Sequence, residues 1–238
     1  MSRNNYYIFN DNAKEIIIKK YLKLSNIKDD EMIEQFLALF IPLFIIVNPS
    51  STLALFSAIT SSYTKKERKK TAKNSAIYAT ILLFIFAIAG SAILDYLQIE
   101  IYSLRIAGGI LLAFVCLDMT RRGQQFGETK PGSEQKADFA LVPLAMPSLS
   151  GPGAITVTIV GMRNLNETNA WYVSLIIAFA AIILTMIITY FIFRSSTFVI
   201  KALGKKGMDA FTRVMGLLTV AIAVQFALTG VASWVATI

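Results

Sequence analysis

Two long runs of the chain carry no charged side chain, and this feature constrains the fold more than any other. Residues 76–94 and 170–193 are each long enough to cross roughly 30 Å of hydrocarbon as a helix. Apolar residues fill both runs continuously, without the one-sided stripe that is typical of a soluble helix. Because 55% of the 238 residues are hydrophobic and only 16% are charged, the sequence predicts an all-α integral membrane protein.

The apolar blocks predict six transmembrane helices. The first is interrupted by Asn48-Pro49, and the fourth by the Gly-Pro-Gly triplet at 151–153. Proline removes a backbone donor and clashes with the preceding helical turn, and glycine loosens the chain, so we expect both helices to be broken. The approximate bounds of the six helices are 34–60, 72–95, 101–119, 139–162, 170–193 and 209–234.

Matching segments divide the chain into two related halves. VNPSSTLAL aligns with SGPGAITVT, which pairs Pro49 with Pro152, and RIAGGILLA aligns with RVMGLLTVA, which pairs Arg105 with Arg213. A second copy of a three-helix unit enters the membrane from the opposite side, because three is odd, so the halves form an inverted repeat. The predicted parts are an N-terminal extension 1–33, a first repeat 34–119, a cytoplasmic linker 120–138 and a second repeat 139–238.

Basic residues give the chain a net charge of +8, and their positions predict its membrane topology. They cluster after the first, third and fifth helices, whereas the opposite side shows only Arg163, after the fourth. Cytoplasmic loops are enriched in Lys and Arg, so we expect these segments to be cytoplasmic, both termini to lie outside, and no nucleic-acid partner. The clustered residues are Lys65, Lys66, Arg68, Lys69, Lys70, Lys73, Arg121, Arg122, Lys130, Lys136, Arg194, Lys201, Lys205 and Lys206.

The polar extension at 1–33 partly opposes this topology, since it carries basic residues of its own. Within it, residues 13–24 include several apolar side chains. Two interpretations of this part are open, a short helix lying at the membrane interface and an extension without fixed structure.

The sequence offers no visible catalytic set, and we predict that the protein is not an enzyme. It contains no histidine, which excludes a Ser-His dyad, an HExxH zinc site and a histidine relay. Acidic residues near the helices lie toward helix ends, so no intramembrane carboxylate pair is evident. We expect no cofactor and no metal. A coupling ion, Na⁺ or H⁺, is left open, with Thr52 or Ser150 and backbone carbonyls as Na⁺ ligands.

The two breaks are the stronger lead to function. In hydrocarbon, non-helical backbone is tolerated only where it is buried in protein or lines a polar cavity. A half-helix that begins at Pro49 or Pro152 directs free N–H groups and a partial positive charge inward, which suits a carboxylate. The alternative is a pair of proline kinks relieved by local hydroxyls. The predicted substrate-binding residues are Asn48, Pro49, Ser50, Ser51, Thr52, Ser148, Ser150, Gly151, Pro152 and Gly153.

Arg105 and Arg213 occupy matched positions near the starts of the third and sixth helices. An arginine near a helix end commonly extends to the lipid headgroups or forms a structural pair, here with Asp95 or Asp209. The alternative is gating, in which each arginine guards one vestibule.

Four segments together resemble the MarC family of six-span prokaryotic membrane proteins: VNPSSTLALF, SLRIAGGILLAF, VPLAMPSLSGPGAIT and VAIAVQFALTG. The resemblance covers about residues 35–235 and places the family's signature breaks on Asn48-Pro49 and residues 147–153. It implies a multi-pass protein of the inner membrane and, for some members, transport or export of small neutral amino acids. The polar extension is longer than the resemblance leads us to expect.

These observations lead to one functional hypothesis with two rivals. The hypothesis is a secondary transporter, for uptake or export, that holds a small neutral amino acid between two broken helices near the membrane midplane. The rivals are a passive channel with re-entrant pore elements, and a non-transporting membrane protein in which both breaks are structural. The expected partners are the lipid bilayer and the substrate, and no oligomeric state is predicted.

Overall fold

The structure, a computed structural model, describes residues 30–122 and 139–237, with the backbone alone for residues 118–122 and 205. Both ranges are helical apart from short turns, and neither contains a strand. The predicted all-α class is therefore confirmed for the described chain. Two predicted segments lie outside the described residues: the extension up to residue 29, which includes the apolar part at 13–24, and linker residues 123–138.

The first described helix, α1, covers residues 30–47, and one residue, Asn48, separates it from α2. The other helices are α2 (Pro49–Ile59), α3 (Lys65–Tyr96), α4 (Ile101–Arg122), α5 (Pro152–Thr168), α6 (Trp171–Arg194) and α7 (Ser196–Val235). An irregular helical segment, Ala140–Leu149, precedes α5.

Four described helices are long and apolar enough to cross a membrane. They are Asp30–Ile59 (α1 with α2), α3, α6 and the Lys206–Val235 part of α7. A fifth span results when Ala140–Leu149 and α5, bent by 57° at their junction, are taken as one crossing. The predicted crossing at 101–119 falls on α4, whose apolar part, Ile101–Leu117, is shorter. Length and composition thus support four or five spans, and the predicted count of six is not confirmed.

Helix α3 begins before the predicted start near residue 72, because its first turn is capped. Thr64 Oγ1 accepts a hydrogen bond from Glu67 N at 3.3 Å, and Glu67 Oε2 accepts one from Thr64 N at 2.9 Å. This reciprocal capping box satisfies two backbone donors. The charged residues after Lys65 therefore extend the helix beyond its apolar part.

Helix α7 also begins before its predicted start near residue 209. It is bent at Gly204, whose φ of 62° and ψ of 177° interrupt the helix. Glycine adopts a positive φ without the clash that a Cβ would cause. A short helical part, 196–203, therefore precedes the long apolar part.

The outward faces of the long helices are apolar, as contact with lipid requires. On α3, the side chains of Ile81, Ile85 and Ile88 recur at helical spacing and are each at least half exposed. The same helix buries Ala79 and Leu83 against its neighbours. A helix that faces water would expose polar side chains instead of isoleucines. The outward face of α3 therefore suits contact with the hydrocarbon of the bilayer.

Helices α4 and α7 pack closely in antiparallel orientation. A Cβ added at Gly109 would lie 2.6 Å from the carbonyl oxygen of Ala223, and one added at Gly230 would lie 2.9 Å from that of Tyr102. Glycine at these positions lets the two backbones approach, as is common between membrane helices.

A second antiparallel pair is formed by α3 and α6. The rings of Phe84 and Phe179 stack with centroids 3.9 Å apart. Near the other end of α6, Phe193 stacks on Phe56 of α2 at 4.6 Å, and both rings are fully buried. This second stack anchors α2, the half-helix that follows the first break.

Candidate functional site

The two helix breaks lie next to each other, because α1 and α5 pack in antiparallel orientation. At the start of α1, Gln35 Oε1 accepts a hydrogen bond of 2.8 Å from Asn169 Nδ2, just after the end of α5. At the end of α1, a Cβ added at Gly153 would lie 3.1 Å from Ile46 Cγ2. Ile46 precedes the first break by two residues and Gly153 belongs to the second. The structure therefore brings both predicted interruptions together.

The first break is a single residue in left-handed conformation. Asn48 has φ 43° and ψ 69° and is 2% exposed. Asparagine tolerates this region better than most residues because its short side chain bonds locally. Its Oδ1 accepts hydrogen bonds from Ser50 Oγ at 2.7 Å and from Ser51 N at 3.3 Å. Thr52 Oγ1 donates to Asn48 O at 3.4 Å, so the first turn of α2 is capped by its own neighbours.

The second break starts earlier than predicted. Within Ala140–Leu149, Val142 (φ −125°, ψ 125°) and Met146 (φ −130°, ψ 124°) are extended. Each precedes a proline, Pro143 or Pro147, and the proline ring disfavours a helical conformation for the residue before it. The sequence analysis placed the break at 151–153, with the family signature starting at 147, and so missed the extended residue at 142.

The residue after this irregular segment hydrogen-bonds back to the segment, whereas the start of α5 has no side-chain cap. Ser150 donates twice to Ala145 O, from N at 2.9 Å and from Oγ at 2.8 Å. Gly151 then caps α5 without any side-chain hydrogen bond. Ile155 N donates to Gly151 O at 3.1 Å. The first N–H groups of α5 therefore lack the side-chain acceptor that Asn48 supplies to α2.

The remaining predicted site residues differ in exposure. Pro49 is buried, Ser148 and Gly153 are partly buried, and Pro152 is exposed. Thr156, one turn into α5, is 4% exposed. The buried part of the breaks is thus built from the α2 side, Ser150 and the first turns of α5.

Helix α4 forms a wall against the second break, which the sequence analysis did not predict. A Cβ added at Gly108 would collide with the side chain of Thr156, and one added at Gly153 would collide with Leu112. Glycine at 108 and 153 therefore allows the two helices to meet beside the break. The Arg-Ile-Ala-Gly-Gly segment carried this signal in Gly108, which the sequence analysis did not select.

One buried side-chain atom in the breaks has no hydrogen-bond partner. Ser51 is 1% exposed, and its Oγ is both buried and unpaired. A buried polar group without a partner costs about 1–3 kcal/mol. The hydroxyl is therefore an unused donor and acceptor inside the break.

Arg105 bridges neighbouring helices and does not contact the carboxylate considered for it. Its Nη2 donates to Asn164 Oδ1 at 2.6 Å, and its Nη1 donates to Ser233 Oγ at 3.4 Å. Asp95 lies instead beside Arg163, with Nη1 and Oδ1 3.9 Å apart and both side chains largely exposed. Arg213, the repeat counterpart of Arg105, is exposed on α7.

A small polar cavity of about 20 Å³ lies at the Asp95–Arg163 pair, away from the breaks. Ser91 and Glu100 also line it. This volume holds about one water molecule. Within 30–122 and 139–237, no three Cys, Asp or Glu side chains group as metal ligands would.

The chemistry available at the breaks is hydrogen bonding without ionisable side chains. None of the ten predicted site residues carries a charge. The N-terminal ends of α2 and α5 supply partial positive charge, and serine, threonine and asparagine supply neutral donors and acceptors. Such a set can bind a small polar molecule, and it contains no nucleophile–base pair.

The protein has apolar outward faces, several helices of membrane-crossing length and buried helix breaks. These features define an integral membrane protein of the multi-span helical class. The family described as MarC family integral membrane protein matches residues 33–235. The chain belongs to this family, as its motifs predicted.

Its relatives cover nearly the same length. A UPF0056 membrane protein of Methanocaldococcus jannaschii is 37% identical over 203 residues, covering 84% of this chain and 97% of the relative. The UPF0056 membrane protein YhcE of Escherichia coli K12 is 34% identical over 198 residues, covering 81% and 89%. YvbG of Bacillus subtilis is 32% identical over 190 residues, covering 78% and 88%. No solved structure matches the chain.

Proposed function

We propose that this protein is a secondary transporter of small neutral amino acids, held between the two broken helices near the membrane midplane. The observation that carries the proposal is the contact between Ile46 and Gly153, because it brings the two interruptions side by side. Adjacent broken helices in matched positions of two repeats are typical of transporter binding sites.

The antiparallel pairs support six spans arranged as an inverted repeat. In the predicted alignment α3 corresponds to α6 and α4 corresponds to α7, and each of these two pairs packs together extensively. The helical segments on either side of each break also pack against the other repeat: α1 packs on α5, and α2 packs on Ala140–Leu149. One two-fold axis in the membrane plane would relate every one of these contacts. Alternating access would then come from one repeat rocking against the other.

The chemistry of the breaks supports a small zwitterion as the substrate. A carboxylate would bind the N–H ends of the half-helices, and an ammonium group would bind carbonyl and hydroxyl oxygens. The absence of charge in the ten break residues favours a substrate without a charged side chain. Ile46 and Leu112 lie against Gly153, which leaves little room for a large side chain there.

We propose an inner-membrane location in a prokaryotic cell, with the basic loops in the cytoplasm and the termini outside. The exposed lysines at the start of α3 support this orientation. The protein would act by binding and release rather than by catalysis. Its coupling ion is Na⁺ or H⁺, and the neutral side chains of the breaks give neither ion an ionisable ligand.

Transport by purified protein in liposomes tests the proposal. Labelled glycine and L-alanine should enter under an imposed Na⁺ or proton gradient, with saturation and counterflow. Empty liposomes and liposomes with the heat-unfolded protein are the controls. Flux without saturation or counterflow would instead support a channel.

The non-transporting alternative has support of its own, because Ser50, Thr52 and Ser150 are already hydrogen-bonded within their own segments. It predicts no protein-dependent flux of any small amino acid under any gradient. That result would overturn the proposed function.

A further inference from the structure

We infer that the Ser51 hydroxyl is the side-chain group that donates a hydrogen bond to the carboxylate of the transported amino acid. This inference rests on the proposed function and deepens it, because it assigns one substrate contact to one atom.

The other hydroxyls of the first break are already engaged. Ser50 Oγ donates to Asn48 Oδ1, and Thr52 Oγ1 donates to Asn48 O. In the second break, Ser150 Oγ donates to Ala145 O. Ser51 Oγ is buried and has no partner. Among the buried side-chain oxygen atoms of the two breaks it is therefore the one left for a ligand.

The position of Ser51 in α2 directs its side chain toward the first break. Ser51 lies in the first turn of α2, three residues after the N-cap Asn48. In an α-helix the Cα–Cβ bond tilts toward the N-terminus, so the hydroxyl leans toward the interruption. The positive end of the helix dipole lies at the same place and favours an anionic group. A carboxylate there would accept a hydrogen bond from Ser51 Oγ.

The second repeat offers no equivalent hydroxyl. Pairing Pro49 with Pro152 places Ala154 opposite Ser51, and Ala154 is 2% exposed. The first turn of α5, residues 152–155, thus supplies backbone N–H groups alone, whereas the first turn of α2 adds a side-chain donor. The two halves of the site are therefore chemically unequal, and Ser51 is specific to one of them.

Uptake kinetics of labelled glycine test the inference. Ser51→Ala should raise KM roughly tenfold or more, because a hydrogen bond to a charged group is lost. The matched control is Ser75→Ala, another fully buried serine, which lies in α3 and donates to Thr71 O at 2.8 Å. The control should keep the glycine KM of the unsubstituted protein. Thermal unfolding should show that Ser51→Ala is at least as stable as that protein, since an unpaired buried hydroxyl is removed.

Competition by glycinamide separates a substrate contact from a packing effect. Glycinamide has the glycine skeleton but no carboxylate. The unsubstituted protein and Ser75→Ala should prefer glycine over glycinamide, and Ser51→Ala should lose roughly tenfold of that preference. A change in packing alone would weaken both compounds equally.

A second variant covers the case in which Ser51→Ala does not fold. Ser51→Cys keeps the shape of the side chain but replaces the hydroxyl by a weak donor, so it should also lose the preference for glycine over glycinamide. An unchanged preference in this variant would overturn the inference.

Each outcome has a defined meaning. Normal glycine transport by Ser51→Ala, with an unchanged KM and an unchanged preference for glycine, would overturn the inference and leave the proposed function standing. The partner of the Ser51 hydroxyl would then be a buried water molecule. No glycine or alanine transport by the unsubstituted protein would overturn both.

Discussion

Arg105 on α4 donates a hydrogen bond of 2.6 Å from Nη2 to Oδ1 of Asn164 on α5. The same guanidinium reaches Ser233 on α7 at 3.4 Å from Nη1. Arginine suits this position because its rigid fork directs several donors at once. One side chain therefore connects α4 with both helices that pack against it, at the end of the protein opposite the basic loops.

Arg105→Lys should lower stability, because an ammonium group cannot reproduce the two-armed contact. We expect a loss of about 1 kcal/mol, or about 2–4 °C in Tm. Thermal unfolding in detergent measures this loss. The matched control is Arg213→Lys at the exposed repeat counterpart, which should change the unfolding free energy by less than about 0.5 kcal/mol. Equal losses in the two variants would contradict the bridging role.

Gly109→Ala should destabilise the α4–α7 pair. The added Cβ would lie 2.6 Å from Ala223 O and 2.9 Å from Ala227 N, both backbone atoms that cannot yield locally. Overpacking of this kind costs about 1–3 kcal/mol. Gly207→Ala serves as the control, because its Cβ would meet the Leu203 side chain at 3.2 Å. Fluorescence-detected size-exclusion chromatography after heating measures the folded fraction of each variant. Equal folded fractions for Gly109→Ala and Gly207→Ala would contradict close contact between the α4 and α7 backbones.

Asn48 combines a left-handed backbone with a cap, and two substitutions separate these roles. Asn48→Gly keeps the backbone conformation and loses the cap, whereas Asn48→Ala loses both. Loss of an N-cap costs about 0.5–2 kcal/mol, and a left-handed alanine adds about 1 kcal/mol. Thermal unfolding should therefore rank Asn48→Ala below Asn48→Gly. The reverse order would mean that φ 43° is not required at this position.

Cysteine labelling on intact cells tests the orientation. Ser62 follows α2 and Asn166 lies near the end of α5, and both are exposed. In a Cys116→Ala background, a membrane-impermeant maleimide should label Asn166→Cys and not Ser62→Cys, while permeabilised cells should show both. Labelling of Ser62→Cys alone in intact cells would invert the topology.

Much of the fold followed from the sequence because apolar length and proline placement act locally. The breaks at Asn48 and Gly151 were predicted, since proline and glycine disturb a helix whatever surrounds it. The same rule would have predicted the extended residues Val142 and Met146, had the prolines after them been used.

Other features depended on contacts that a linear pattern does not encode. The start of α3 at Lys65 was missed because hydrophobicity marks only the part of a helix inside the bilayer, whereas the capping box sets the true beginning. The partners of Arg105 depend on how α5 and α7 pack around α4. The unpaired state of Ser51 likewise depends on which neighbouring hydroxyls already have acceptors.

Electron cryo-microscopy of the protein in lipid nanodiscs, with and without L-alanine, would locate the bound substrate. Added density should lie between the turn at Asn48 and the start of α5, with one end within hydrogen-bond distance of Ser51 Oγ. Density confined to the cavity beside Asp95 and Arg163, or breaks that remain closed on each other at saturating alanine, would contradict a substrate site between the two broken helices.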